Sequence, residues 1–245
     1  MNLLLQLRLA FGFLTRLPMG TFDAQEEDVA SSLAFFPWVG LALGTGLGLC
    51  AWLLASSLPA HIVGLVLVAL SAALTGGLHL DGVADVFDGL GGGRGQRDRT
   101  LEIMRDSRIG SHGAVALMLL LLGKTVASGH LIGAEDWAAL VLAPLAARLI
   151  LIPAMARIPY AREQGLGRSF QAVSGKGPFL LAGLALVPAL LVGGSSVLWP
   201  LLGAALGSGV LVFVIYRRIQ GLTGDGYGAI VELAELLFLI FSCTR

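Results

Sequence analysis

The chain has few charged residues: Asp, Glu, Lys and Arg make up 13% of its 245 positions, against 56% for hydrophobic residues. Its mean hydropathy of +0.84 lies far above the range of soluble globular domains. This composition excludes an ordinary soluble domain and predicts an integral membrane protein. The net charge is zero, which argues against nucleic acid as a partner.

Cysteine and histidine are also scarce. Cys50 and Cys243 both lie in apolar runs, where we interpret them as small buried hydrophobic residues rather than as a disulfide or metal ligands. His79 and His112 lie near the motifs described below, but no histidine cluster has the spacing of a zinc site. Residues 1–18 contain no signal-peptide cleavage site, and we expect an N-terminal amphipathic helix that is interfacial or re-entrant.

Long apolar stretches determine the expected fold. Seven of them approach or reach the length needed to cross a hydrocarbon core of about 30 Å. The fifth and the last are short, so the fifth could instead belong to a broken hairpin. We therefore predict an all-α integral membrane protein: a single polytopic domain over residues 1–245 that forms a bundle of about six or seven transmembrane helices. The stretches are 33–57, 61–80, 112–132, 137–156, 179–193, 197–216 and 229–242.

Lysine and arginine fall on alternate connections between these stretches. The other connections, around Ser56 and Ser57, at 133–136 and at 193–196, contain neither residue. By the positive-inside rule, the N-terminus and the basic connections are expected on the cytoplasmic side of the membrane. The basic residues are Arg8, Arg16, Arg94, Arg97, Arg99, Arg105, Arg108, Arg157, Arg162, Arg168, Lys176, Arg217 and Arg218.

Three aspartates follow the second apolar stretch: Asp81, Asp85 and Asp88. Their i, i+4, i+7 spacing places them on one face of a helix, over two turns. Neighbouring carboxylates would lie about 5–6 Å apart and repel by about 3 kcal/mol at an effective dielectric of about 20. A divalent cation with oxygen ligands would relieve this repulsion, and such cations commonly serve phosphate chemistry. The spacing therefore predicts a metal site.

The connection after the aspartates is predicted to be a loop that meets phosphate. Residues 89–95 are almost all glycine, so they form either a backbone that donates N–H groups to phosphate, with Gly91 and Gly92 as binding residues, or a flexible linker. Arginine suits phosphate, and a further carboxylate suits a metal. The residues concerned are Arg94, Arg105, Asp106 and Arg108.

A second acidic group begins the last apolar stretch. Asp225 lies in a glycine-rich turn, and Glu232 and Glu235 share one helix face at i, i+3. Carboxylates within a membrane span are costly, which favours a functional role. The alternative is an internal ion pair with Lys124 and Arg148 of the third and fourth stretches.

At these motifs the sequence resembles a known family. The segments that carry the resemblance are Phe-Leu-Thr-Arg16-Leu-Pro, Gly-Gly-Leu-His79-Leu-Asp81-Gly-Val-Ala-Asp85-Val-Phe-Asp88-Gly, Glu-Ile-Met-Arg105-Asp106-Ser-Arg108-Ile-Gly and Thr223-Gly-Asp225-Gly-Tyr-Gly-Ala-Ile-Val-Glu232. They are similar to those of the cobalamin-5'-phosphate synthases, also called adenosylcobinamide-GDP ribazoletransferases. The match extends over nearly the whole chain.

The resemblance implies a magnesium-dependent enzyme of the late vitamin B12 pathway that lies in the bacterial inner membrane. Such an enzyme joins adenosylcobinamide-GDP to alpha-ribazole or its 5'-phosphate and releases GMP. Besides these substrates, the expected partners are membrane lipid and either a second copy of the chain or other corrinoid-pathway enzymes. We assign Mg2+ to Asp81, Asp85 and Asp88, catalysis to Asp106, Arg105, Arg108, Asp225, Glu232 and Glu235, and substrate binding to Arg16, His79, Gly91, Gly92, Arg94 and Thr223.

Two other functions remain open at this point. The segment from Asp85 to Gly89 echoes the motif of CDP-alcohol phosphotransferases, but the Ala-Arg and the paired aspartates that continue that motif are missing. A cation-coupled transporter would use membrane carboxylates as an ion site. It predicts an inverted repeat and acids near mid-membrane, whereas the sequence shows no repeat and places its acids towards one face.

Overall fold

The structure is a computed structural model that describes residues 2–21, 23–162, 165–170 and 176–244. Within these residues the chain forms helices and turns, with no strand beyond an isolated bridge between Tyr160 and Leu222. The all-α fold class is therefore confirmed. The α-helices, numbered α1 to α13 in chain order, are Leu3–Leu14, Glu26–Ser32, Phe36–Ala55, Ala60–Thr75, Leu78–Gly92, Arg97–Ile103, Ser111–Gly133, Trp137–Arg157, Leu166–Ser169, Gly177–Gly183, Leu186–Gly193, Leu198–Ile219 and Gly224–Ser242.

Four helical runs in the described residues are long and apolar enough to cross a membrane: Glu26–Ala55, Ser111–Gly133, Trp137–Arg157 and Gly177–Ile219. Counting the bent pair α4 and α5 as one span gives five. The predicted number of six or seven is not confirmed. One reason is that the predicted fifth and sixth stretches belong to the single run Gly177–Ile219, which is interrupted after Gly183 and by the 3-10 turn Gly194–Val197.

The second predicted stretch, 61–80, does not continue as one helix. It bends by 94° between α4 and α5. Gly76 and Gly77 both adopt left-handed backbone conformations, with φ of +67° and +71°, which glycine tolerates and other residues rarely adopt. Gly76 also lies against Arg16, whose side chain occupies the space a β-carbon would need. The bend turns α5, with its aspartates, sharply away from the direction of α4.

Helix α13 lies at the centre of the bundle and packs against α5, α7, α8 and α12. Its apolar side chains Ile230, Val231 and Phe238 are fully buried. Apolar burial is worth about 25 cal/mol per Å2, so this packing is a major source of stability. Because α13 is surrounded by protein, its polar residues meet other helices rather than lipid.

The basic connections meet at one end of the bundle. Arg97 at the start of α6 donates hydrogen bonds to the carbonyl oxygens of Ile219 and Ala161, each at 3.0 Å. Arg162 donates to the carbonyl oxygen of Met104 at 3.2 Å. Segments predicted to share a side of the membrane are therefore joined to one another.

Candidate active site

The three aspartates lie on α5, as the spacing predicts, but their surroundings differ. Asp81 is exposed, Asp85 is half-buried and Asp88 is buried. Neither Asp81 nor Asp85 has a side-chain hydrogen bond or ion pair with the described part of the protein. These two carboxylates are therefore available to a ligand.

Asp88 instead caps the next long helix. Its Oδ2 accepts a hydrogen bond from the amide of Gly110 at 2.7 Å, and its Oδ1 accepts one from the amide of Gly113 at 2.8 Å. Gly110 is the N-cap of α7, whose first amides have no partner within the helix. The helix N-terminus also carries partial positive charge, which favours the carboxylate. Asp88 thus joins α5 to α7, whatever else it binds.

The second acidic group, on α13, contributes Asp225 to the same region as the aspartates of α5. A β-carbon on Gly82 of α5 would lie 2.5 Å from the carbonyl oxygen of Asp225, so the two helices approach as closely as glycine permits. Asp225 is near enough to Asp81 and Asp85 for the three charges to interact. Its Oδ2 is held by Arg162 at 2.8 Å. Carboxylates distant in sequence therefore gather at this end of α5 and α13.

Two clefts open beside these acids, and Asp81 lines both. The larger has a volume of about 610 Å3; it is open to the surface and is lined by Arg16, Asp85 and Ser107. The smaller has a volume of about 270 Å3 and is lined by Asp225 together with aromatic side chains. Asp81 therefore lies where two separately bound groups could meet.

Glu232 and Glu235 lie in a buried ion-pair network. Lys124 Nζ on α7 contacts Glu232 Oε2 at 2.6 Å and Glu235 Oε1 at 2.9 Å. Arg148 on α8 contacts Glu235 Oε2 at 2.7 Å. The structural alternative that the sequence left open is therefore present, and the two glutamates line a small space of about 30 Å3 with Lys124 rather than an open cleft. His79 connects the two regions, because it lines the smaller cleft and its Nδ1 lies 4.0 Å from Glu232 Oε1.

The prediction of a loop over 89–95 is wrong for its first four residues, which form the last turn of α5. Gly91 lies against the ring of His112, and Gly92 lies near Ile103. Small residues are needed here because α6 and α7 pack against this turn. Arg94 follows the helix, is exposed and has a φ of +47°. Phosphate binding by these residues stays a prediction.

Asp106 and Arg108 form an exposed pair between α6 and α7. Arg108 Nη2 contacts Asp106 Oδ2 at 2.6 Å, and Nε donates to both carboxylate oxygens at 3.0 and 3.1 Å. These hydrogen bonds lower the pKa of Asp106 to about 2. Arg105 next to them is exposed. Asp106 is therefore ionised at any physiological pH.

Thr223 is fully buried at the N-cap of α13, where its Oγ1 accepts a hydrogen bond from the amide of Gly226 at 3.1 Å. The same hydroxyl lies 3.3 Å from Asp225 Oδ2. The contacts of Thr223 therefore fix the turn that presents Asp225. Its predicted role in substrate binding is not tested by these contacts.

Sequence reasoning missed Arg162, Tyr160 and Tyr227 as site residues, although all three line the smaller cleft. Arg162 is one of many arginines on basic connections, which usually report topology alone. Tyr227 lies within the last family motif, so its position there was the one available signal. Tyr160 carries no motif, and its proximity to Tyr227 arises only in the fold, with ring centroids 6.2 Å apart.

The described residues contain no group of three His, Cys, Asp or Glu side chains that could already hold a metal ion. Asp88 is engaged by α7 and Asp225 by Arg162. Mg2+, however, is typically bound by one or two protein carboxylates together with waters and substrate phosphates. Asp81 and Asp85 fit that requirement as hard oxygen donors beside an open cleft.

Fold and clefts define an all-α membrane protein with an acidic site at one end. The model of the family described as cobalamin-5-phosphate synthase matches residues 6–243. The chain therefore belongs to the cobalamin-5-phosphate synthase family, and it is a transferase of cobalamin biosynthesis. The family match favours the expectation from the sequence motifs over the two alternatives.

Relatives named adenosylcobinamide-GDP ribazoletransferase match over most of their length. The one from Geotalea daltonii is 38% identical and that from Syntrophobacter fumaroxidans is 40% identical, each match covering 94% of both chains. A relative from a Roseiflexus species is 42% identical over 94% of this chain and 86% of its own. No solved structure matches the chain significantly.

Proposed function

We propose that the protein joins adenosylcobinamide-GDP to alpha-ribazole or its 5'-phosphate, releases GMP, and depends on Mg2+. Family membership and the names of the relatives support the substrates. The observation that carries the mechanism is the meeting of Asp81 and Asp85 with Asp225 beside two clefts. Separate clefts suit a reaction that joins two large molecules.

In this mechanism the open cleft receives the diphosphate of the activated corrinoid. Asp81 and Asp85 are the ligands we assign to Mg2+, which when bound would neutralise phosphate charge and polarise the reacting phosphorus. Asp88 keeps α5 against α7 and so fixes the direction in which the two free carboxylates point. Arg16, which also lines the cleft, is placed to contact phosphate oxygens.

The transfer forms one bond and breaks one. A ribose hydroxyl of alpha-ribazole, or of its 5'-phosphate, attacks the phosphorus bound to the corrinoid. The bond from that phosphorus to the bridging oxygen breaks, and GMP leaves with the bridging oxygen. A hydroxyl nucleophile must lose its proton, and Asp225 is the carboxylate placed to accept it in the smaller cleft.

The site is assigned to the cytoplasmic face of a bacterial inner membrane. The basic connections that meet at its end of the bundle support this orientation under the positive-inside rule. Cytoplasmic substrates could then reach the open cleft without crossing the bilayer. A cysteine introduced at exposed Asp98 should react with a membrane-impermeant maleimide in inverted vesicles but not in intact spheroplasts.

The activity is tested with purified protein in detergent. Incubation with adenosylcobinamide-GDP and ribazole 5'-phosphate should release GMP and form the joined corrinoid in equal amounts, and EDTA should stop both. Asp85→Ala should abolish transfer while leaving membrane insertion intact. Asp98→Asn, at an exposed aspartate of α6, should retain wild-type turnover. Absence of GMP release by the wild type would contradict the function, and near-normal turnover by Asp85→Ala would exclude the proposed site.

A further inference from the structure

The smaller cleft has an apolar wall and a polar end. Phe13 and Phe36 pack with their ring centroids 5.8 Å apart, and Leu151 and Met155 of α8 extend the apolar surface. At about 270 Å3 the space is near the lower limit of small-molecule sites, which begin at about 300 Å3. This size suits one flat bicyclic group and excludes a corrinoid ring.

Three buried polar atoms of the residues lining this cleft have no hydrogen-bond partner among the described residues: Tyr227 Oη, His79 Nδ1 and Arg162 Nε. The side chains of Tyr227 and His79 belong to residues only 6% and 5% exposed. Buried polar groups are normally satisfied, because an unmade hydrogen bond costs about 1–3 kcal/mol. His79 Nδ1 lies 4.0 Å from Glu232 Oε1 and Arg162 is already paired with Asp225, so Tyr227 Oη is the atom whose missing partner a ligand in the cleft would supply.

We propose that this cleft binds the benzimidazole base of the ribazole substrate between its aromatic wall and the hydroxyl of Tyr227. The inference rests on the proposed function and adds the location of one substrate. A benzimidazole joined to ribose through one ring nitrogen keeps a single acceptor, its other ring nitrogen. The hydroxyl of Tyr227 can donate to that nitrogen, and the flat ring matches the aromatic side chains.

The other base in the reaction, guanine, fits this cleft poorly. Guanine presents acceptors at O6 and N7 and a donor at its exocyclic amine, all of which need partners when buried. Phe13, Phe36 and Met155 offer none along the apolar wall, so guanine would have to satisfy all of these groups at the polar end alone. GMP must also leave after the transfer, which the open cleft on the other side of Asp81 permits. The polarity of the two clefts therefore separates the two bases.

The position of Asp81 supports the same arrangement. It lines both clefts, so a ribazole with its base in the smaller cleft directs its ribose end towards the diphosphate in the larger one. Asp225 lies along that path. The nucleophile and the reacting phosphorus then meet at Asp81, where the metal ligands lie.

The test uses alpha-ribazole alone as the probe, titrated into the purified full-length protein by calorimetry without corrinoid or Mg2+. Tyr227→Phe should weaken binding about tenfold, the upper range for a neutral hydrogen bond. In the transfer assay it should raise KM for the ribazole substrate and leave KM for adenosylcobinamide-GDP unchanged. Since the removed hydroxyl has no partner in the free protein, thermal stability should not fall.

Tyr216→Phe is the matched control, because it removes the same hydroxyl from a tyrosine that is exposed on α12 and lies outside the cleft. It should alter neither binding nor KM. Free dimethylbenzimidazole should compete with ribazole and not with the corrinoid nucleotide. Unchanged affinity in Tyr227→Phe, or competition with the nucleotide, would overturn the inference. A wild type that binds ribazole through Tyr227 but releases no GMP would contradict the proposed function and leave this site standing.

Discussion

Lys124 on α7 donates a hydrogen bond to Glu232 on α13 across 2.6 Å, with both side chains 6% exposed. The same ammonium group reaches Glu235, which Arg148 of α8 also holds. Two cations and two anions thus cancel in the interior, and three helices are joined through them. A buried network of this kind is costly to break, since removing one member leaves an uncompensated charge.

Replacing Lys124 with methionine should therefore destabilise the protein by about 3–5 kcal/mol, the usual cost of orphaning a buried charge. The measurement is thermal unfolding in detergent. Lys176→Met is the control, because Lys176 is exposed and should tolerate the same change. Combining Lys124→Met with Glu232→Gln should recover part of the loss. An unchanged unfolding temperature in Lys124→Met would show that the network contributes nothing.

Glu232→Gln separates a structural from a catalytic role. If Glu232 serves the network, the variant loses stability, and the folded fraction keeps turnover within a few-fold of the wild type. That is the outcome we expect, because the carboxylate is already engaged by Lys124. A stable variant that has lost turnover by about a hundredfold or more, the range of general-base removal, would restore the catalytic assignment.

Asp88→Ala should weaken the start of α7. Loss of a capping carboxylate typically costs about 0.5–2 kcal/mol, and here two amide partners, Gly110 and Gly113, are left unpaired. Asp88→Asn keeps one acceptor oxygen and should lose less. Both effects are measured as changes in unfolding temperature.

The magnesium dependence distinguishes the aspartates from one another. Asp88→Asn should need the same Mg2+ concentration for half-maximal activity as the wild type, because its carboxylate is directed into α7. Asp81→Asn and Asp85→Asn should each need at least several-fold more. If Asp88→Asn shifts the requirement as far as they do, Asp88 is a third ligand.

Gly76→Ala should destabilise the bend between α4 and α5. The left-handed conformation costs an L-residue about 1–2 kcal/mol, and the new methyl group would collide with the side chain of Arg16. Both unfolding temperature and turnover should fall. Gly133→Ala at the end of α7 is the control, since its β-carbon meets open space and its φ is ordinary. Equal stability of the two variants would refute the role of the bend.

The charge of Asp106 should be constant over the working pH range. Arg108 lowers its pKa from 3.8 to about 2, so the ionised form persists above pH 4 and its pairing is lost only as pH falls through about 2. Asp106→Asn should therefore change the height of the pH–rate profile between pH 5 and 9 but not its shape. A limb that disappears in the variant would identify Asp106 as a titrating group.

Helix positions were predictable from the length and hydropathy of a stretch where that stretch forms one unbroken helix. The stretches 112–132 and 137–156 correspond to α7 and α8 within one residue at each end. The bend at Gly76 was not predicted, because an apolar run does not record a change of direction. The run Gly177–Ile219 was likewise divided into two spans, since short apolar helices have no periodicity that shows how they join.

The acidic residues of the candidate site could be identified from the sequence, but their arrangement in space could not. Spacing placed Asp81, Asp85 and Asp88 on one helix, and the structure confirms that helix. Spacing could not show that Asp88 faces an amide cap or that Arg162 holds Asp225, because those partners come from other segments of the chain. Pairwise contacts between distant segments depend on packing, which a pattern within one helix does not contain.

The glycine pair at the bend makes the site sensitive to residue count. Gly76 and Gly77 are the whole connection between α4 and α5, so deleting one of them would leave a single residue to make the 94° bend and would displace α5 from its neighbours. One such change would carry Asp81 and Asp85 off the clefts and pull Asp88 from its cap, with every side chain of the site still present. The site therefore depends on the number of residues at this junction as well as on its side chains, and substitutions elsewhere could not compensate for a change in that number.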